Sequence, residues 1–220
     1  MDLASPWLFL TLGLLLMLPP MPIFYAEKIK FRSIEYLEIA RRNGSWWRVL
    51  RNVVTLPGHW IELGRAYVGM RCLLYSLETI RGRGTYPDFS KPWMVAAMAL
   101  GVAILALLLM LVAFRRSEGA LAPVTFVFGA ILAAMPVEIG SLALILAVAS
   151  MISFKSLGAF FGMLALGLMG LGYLFGQLLI AGMFGAGFAA IPLLLAFFMN
   201  RELVIPIRQS RSKRSVEPAR

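Results

Sequence analysis

From Gly119 to Met199 the chain carries two charged side chains, Glu138 and Lys155, and is otherwise apolar almost without interruption. A run of that length has more apolar surface than a soluble core of a 220-residue protein needs. A hydrophobic content of 60% with only 15% charged residues extends the same conclusion to the whole chain. The sequence therefore predicts an all-α integral membrane protein.

Two earlier runs are also long enough to cross a bilayer. Pro6 to Tyr25 has Trp7 and Tyr25 where an aromatic belt falls, and the three prolines of "LPPMPIFY" close it. No Lys or Arg precedes this run, so it reads as a retained membrane anchor rather than a cleaved leader. Trp93 to Phe114 is the second run. The expected organisation is an N-terminal transmembrane anchor (1–25), a cytoplasmic-side amphipathic helical segment (26–92), a transmembrane helical bundle (93–200) and a basic tail (201–220).

Charge arbitrates the topology. The 21 Lys and Arg outnumber 11 Asp and Glu, and they fall outside the apolar runs, where they meet anionic lipid headgroups. Nucleic acid is not an expected partner. Twelve basic residues lie in 26–92, two at 115–116, one at Lys155 and six from Arg201 onward. Six crossings would put the tail opposite the twelve-charge segment, whereas five put nineteen basic residues inside and two outside. The expectation is five net crossings, the N-terminus and residue 117 outside, and the C-terminus cytoplasmic. The crossing given up contains "MPVEIG", which divides 119–154 into halves of about sixteen residues. That segment is expected to be bent or discontinuous, with Pro136 and Gly140 as the break.

Glu138 sits in that break and has two readings. It is an intramembrane carboxylate, grouped with Tyr173 and Gln177 as polar groups of a substrate or ion path, or it belongs to a surface turn. The spacings Gly158/Gly162, Gly172/Gly176 and Ala181/Gly185 let helices approach closely. "GAGFAA" formally fits a dinucleotide fingerprint but follows no strand, and is set aside.

In residues 26–92, "SWWRVLRNVVTLPG" places Trp46, Val49, Leu50, Val53 and Val54 on one helical face, with Trp47 beside them. Such a basic amphipathic helix lies in a membrane interface or in a partner's groove. The next helix, about His59 to Ile80, is apolar around most of its circumference and interrupted by Arg71 and Glu78. Trp60, Tyr67, Arg71, Leu74 and Glu78 are its expected interfacial or partner-docking residues. "GHWIELGR" brings His59, Glu62 and Arg65 together as a conceivable acid/base cluster for a lipid headgroup, though no nucleophile stands at a recognisable spacing. One cysteine, Cys72, and one histidine indicate no multi-cysteine metal centre, and no cofactor is indicated.

Sparse reactive groups, small-residue helix surfaces and inner-face helices with excess apolar area point first to a non-catalytic subunit of a larger membrane complex. Its partners would be other membrane subunits and anionic headgroups. A small transporter or channel component using Glu138 is the alternative, and a membrane enzyme acting on lipid a further one.

Overall fold

The computed structural model describes residues 5–18, 29–32, 57–82, 92–113, 120–175 and 179–208. Trp46, Trp47, Gly176, Gln177 and most of the basic tail lie outside the described residues. Within them the fold is helical: α1 (Pro6–Met17), α2 (Pro57–Gly82), α3 (Pro92–Ala113), α4 (Val124–Ala134), α5 (Val137–Phe154), α6 (Leu157–Leu174) and α7 (Leu179–Phe198). Four of these hold an apolar stretch long enough to span a bilayer: Met94–Leu111, Val137–Phe154, Leu157–Leu174 and Ala181–Phe198. Eighteen helical residues cover about 27 Å, close to the thickness of the hydrocarbon layer. The protein is thus membrane-embedded and multi-pass.

The helices start and stop where backbone chemistry requires. Met135 precedes a proline, which disfavours its helical conformation, and it is extended (φ −103°, ψ 155°). Pro136 is extended as well and is the N-cap of α5, where its missing N–H leaves no intrahelical bond unmade. The interruption is confined to Met135 and Pro136, because the Gly140 amide already donates to the Pro136 carbonyl at 2.9 Å. α5 ends on Lys155 in the left-handed region, and Ser156 caps α6 by accepting the Gly158 amide at 3.1 Å.

Small residues set how closely the helices approach. α6 and α7 run antiparallel: a Cβ added at Gly182 would lie 2.7 Å from the Leu168 carbonyl oxygen and 3.1 Å from the Gly172 Cα. At their other end Gly158 faces Leu193. α5 lies antiparallel on the far side of α6, with Gly167 against Ala143 and the Ser150 hydroxyl donating to the Ala159 carbonyl at 3.2 Å. α4 joins this group to α2. Phe126 meets Phe188 of α7 with ring centroids 6.3 Å apart, and Gly129 abuts Leu63, Ala66 and Tyr67 of α2.

Three short strands gather at one end. β1 (Ile29–Arg32) pairs antiparallel with β3 (Leu203–Arg208), and β2 (Ala120–Leu121) pairs parallel with it, in the order β1-β3-β2. β2 takes only Leu203 and Val204, and β1 takes residues 205–208. Pro206 therefore sits where β3 has a single neighbour, a place a strand proline can occupy. Residues 120–121 pair with residues 203–204, so β2 and the start of β3 lie together at one end of the helices.

Candidate functional site

α2 is the helix on which the charged chemistry concentrates. Glu62, Ala66, Gly69, Met70, Leu73, Ser76 and Leu77 recur at helical spacing and form its buried face. That face packs antiparallel against α1, which is apolar except for Thr11. Gly13 and Gly69 mark the crossing, since a Cβ at Gly13 would lie 3.1 Å from the Gly69 carbonyl oxygen and 2.8 Å from Leu73 Cγ. Phe9 stacks edge-on against Tyr75 at 4.9 Å.

Two polar contacts tie α1 to α2 at both ends. Near the start of α1 the buried Ser76 hydroxyl donates to the Pro6 carbonyl at 2.7 Å. At its end the Arg65 guanidinium donates to the carbonyls of Leu16 and Leu18. These groups belong to the last turn of α1, whose carbonyls have no partner within the helix and carry its negative dipole end. The same guanidinium donates Nε to Glu62 Oε2 at 3.2 Å and Nη2 to Glu62 Oε1, and it lies 5.7 Å from the Phe126 ring centroid of α4. Glu62 is 1% exposed and Arg65 9%. Each charge is thereby compensated, as burial demands. Among the described residues no buried side-chain nitrogen or oxygen lacks a hydrogen bond.

Of the acid/base cluster suggested by "GHWIELGR", the structure joins Glu62 and Arg65, with His59 half-buried one turn earlier. The pair fastens helices together, and its carboxylate oxygens are occupied by the guanidinium. Among the described residues no group of three His, Cys, Asp or Glu side chains is placed to hold a metal ion.

The opposite face of α2 is exposed. Ile61, Val68 and Tyr75 stand out at 48%, 47% and 53% exposure, and Arg71 and Glu78 are exposed with them. At positions 61, 68, 71, 75 and 78, with Gly64 between, the steps alternate three and four residues, a heptad spacing. A Cβ at Gly64 would meet nothing within 4 Å. Trp60 and Tyr67 flank the stripe, and the Arg71 guanidinium lies 5.6 Å from the Tyr67 ring. Leu74, expected on this face, is half-buried and packs on the core, so the stripe is turned toward Val68 and Tyr75.

The remaining residues singled out from sequence fall elsewhere. Glu138 is exposed in the first turn of α5, where the helix N-terminus favours a carboxylate. Tyr173 is 71% exposed near the end of α6, and the antiparallel packing puts it at the same end of the α5/α6 pair as Glu138. Gly158 and Gly162 face Leu193 of α7, the second with room to spare at 3.9 Å. Gly172 is buried against Gly182, Gly185 receives Met135 and Leu168, and Ala181 is half-buried. Sequence reasoning passed over Gly13, Gly69 and Gly129, whose spacing to a partner exists only in three dimensions. No protein-family model, curated protein or solved structure matches the chain.

Proposed function

We propose that the protein is a non-catalytic subunit of a membrane complex and that the outer face of α2 docks a helix of another subunit. The observation that carries this reading is the exposed pair Arg71 and Glu78, two turns apart within an aliphatic and aromatic stripe, on a helix fastened along apolar α1. Leu8, Leu12 and Leu15 of α1 are exposed beside it, as suits a lipid-facing helix. Charges left against acyl chains at that level are costly, so a partner helix with a carboxylate opposite Arg71 and a cation opposite Glu78 relieves the cost. The heptad spacing suits a helix rather than a strand or loop.

In this reading the sheet end of the molecule is cytoplasmic and the N-terminus lies outside. Seven basic residues in 26–56, two at 115–116, one at Lys155 and six from Arg201 then fall on the cytoplasmic side, sixteen of twenty-one. Arg81, Arg83 and Lys91 fall on the other, and Arg65 and Arg71 belong to α2 itself. In this reading the seven helices alternate in direction, with the short α1 and α4 reaching only part-way across, in place of five net crossings.

The mass of the particle extracted with mild detergent or a lipid-wrapping polymer tests the subunit reading. A discrete particle larger than the 24.3 kDa chain with its lipid is expected, and Arg71→Glu should reduce it to the single chain. A wild-type particle containing one chain alone would oppose the proposal.

A further inference from the structure

At the end of the bundle that carries the sheet, the turn between α5 and α6 and the C-terminal end of α7 frame an open cavity of about 800 Å³. Leu193, Ala196 and Phe197 form an apolar wall, and Lys155, Arg201 and Glu202 stand on the rim. Among the described residues that line it, two cations stand with one carboxylate. The basic tail continues from this point, with five more Lys and Arg after Arg201.

Lys155 and Asn200, the two non-glycine residues with positive φ among the described residues at 53° and 47°, both line the cavity. Each follows the end of a helix, α5 and α7, in the left-handed conformation such ends commonly take, so the cavity lies between two helix C-terminal ends. Gly158 lines the cavity as well, and a Cβ there would come within 3.3 Å of Leu193 Cδ1. A small residue at this point keeps the apolar wall reachable from the rim.

We propose that this cavity binds an anionic phospholipid of the sheet-side leaflet, its phosphodiester against Lys155 and Arg201 and an acyl chain along Leu193, Ala196 and Phe197. The shared chemistry of rim and ligand is a phosphate group, which a free anion also offers. A soluble anion would use the rim alone and leave the apolar wall of Leu193, Ala196 and Phe197, the last 78% exposed, without a role. A lipid uses both parts and, resting on the reading above that the sheet end is cytoplasmic, basic pockets between membrane helices on that side suit such headgroups. The proposal is independent of what docks on α2.

Native mass spectrometry of the full chain tests it, with micelles doped with phosphatidylglycerol or phosphatidylcholine. One phosphatidylglycerol is expected to stay bound while phosphatidylcholine leaves. Lys155→Gln with Arg201→Gln should weaken retention by roughly thirtyfold, two charges acting near an anionic surface. Leu193→Trp, which fills the wall and leaves both cations, should also expel the lipid. Inorganic phosphate should not displace it. Equal retention by wild type and both variants would overturn the proposal. So would phosphate that displaces the lipid and still binds Leu193→Trp, since the rim would then serve a soluble anion.

Discussion

Arg65 donates a hydrogen bond to the main-chain carbonyl of Leu18, forty-seven residues earlier, while Glu62 neutralises the same guanidinium. One side chain thus ends α1, fixes it to α2 and compensates a buried carboxylate. Arg65→Met removes all three roles at once. It should lower stability by about 3–5 kcal/mol, as expected when one partner of a buried ion pair is lost. Glu62→Leu combined with Arg65→Met should cost less than Arg65→Met alone, because no uncompensated charge remains. Thermal unfolding of the purified chain in one detergent measures both. Additive losses would show that the two residues act separately.

Glycine packing gives a second test. At Gly129 a Cβ would press on the Leu63 carbonyl of α2, and at Gly182 on the Leu168 carbonyl, neither of which can move without shifting a helix. Gly129→Ala and Gly182→Ala should each cost about 1–3 kcal/mol. At Gly101 and Gly187 nothing lies within 4 Å, so alanine there should be neutral or stabilising by up to about 1 kcal/mol. The same unfolding assay separates the two classes.

Glu138 is exposed at a helix start, so a cysteine in its place, with Cys72 changed to serine, should react readily with a membrane-impermeant thiol reagent. Labelling should come from the side opposite the tail. Glu138→Gln should change stability by no more than about 1 kcal/mol, the scale of a carboxylate's interaction with a helix N-terminus. Slow labelling from both sides would return Glu138 to the membrane interior and favour a transport role.

The β2–β3 ladder can be locked. Ala120→Cys with Leu203→Cys, again without Cys72, joins register partners of a parallel pair and should form an intramolecular disulfide on mild oxidation. Ala120→Cys with Phe175→Cys, drawn from opposite ends of the bundle, should not. Reporters after residues 117 and 205 should read the same side, and opposite readings would break the ladder and restore the five-crossing topology.

Hydropathy locates the runs that hold Met94–Leu111, Leu157–Leu174 and Ala181–Phe198, because in lipid the side chains that cover a helix are themselves apolar. It missed that Val137–Phe154 is long enough to span by itself and that α1, expected over Pro6 to Tyr25, is helical over Pro6–Met17. The helix stop before Pro136 was legible, since proline acts on its immediate neighbour, whereas Gly140, read as part of the break, lies inside α5. What α2 packs against was not. Its bonds to Pro6, Leu16 and Leu18 end on main-chain carbonyls, which every residue has and which leave no trace in composition. The sheet was hidden for a similar reason: two backbone pairings at Ala120 and Leu121 have no side-chain pattern, and Pro206 argues against a strand when read in isolation. Trp60, Tyr67, Arg71 and Glu78, singled out from sequence, are exposed on the outer side of α2. The expected face was turned by one residue at Leu74, because a helix apolar on nearly every side does not reveal which face its neighbours cover.

Site-directed photocrosslinking in the native membrane tests the docking face most directly. A photoreactive amino acid at Val68 or Tyr75 should give one discrete protein adduct of fixed mass, while the same probe at Leu105 on the exposed side of α3 should give none. Arg71→Glu should abolish the Val68 adduct, and reversing the facing carboxylate in the adducted partner should restore it. Lipid adducts alone at Val68 and Tyr75, or protein adducts of equal yield at Leu105, would contradict a partner helix on α2.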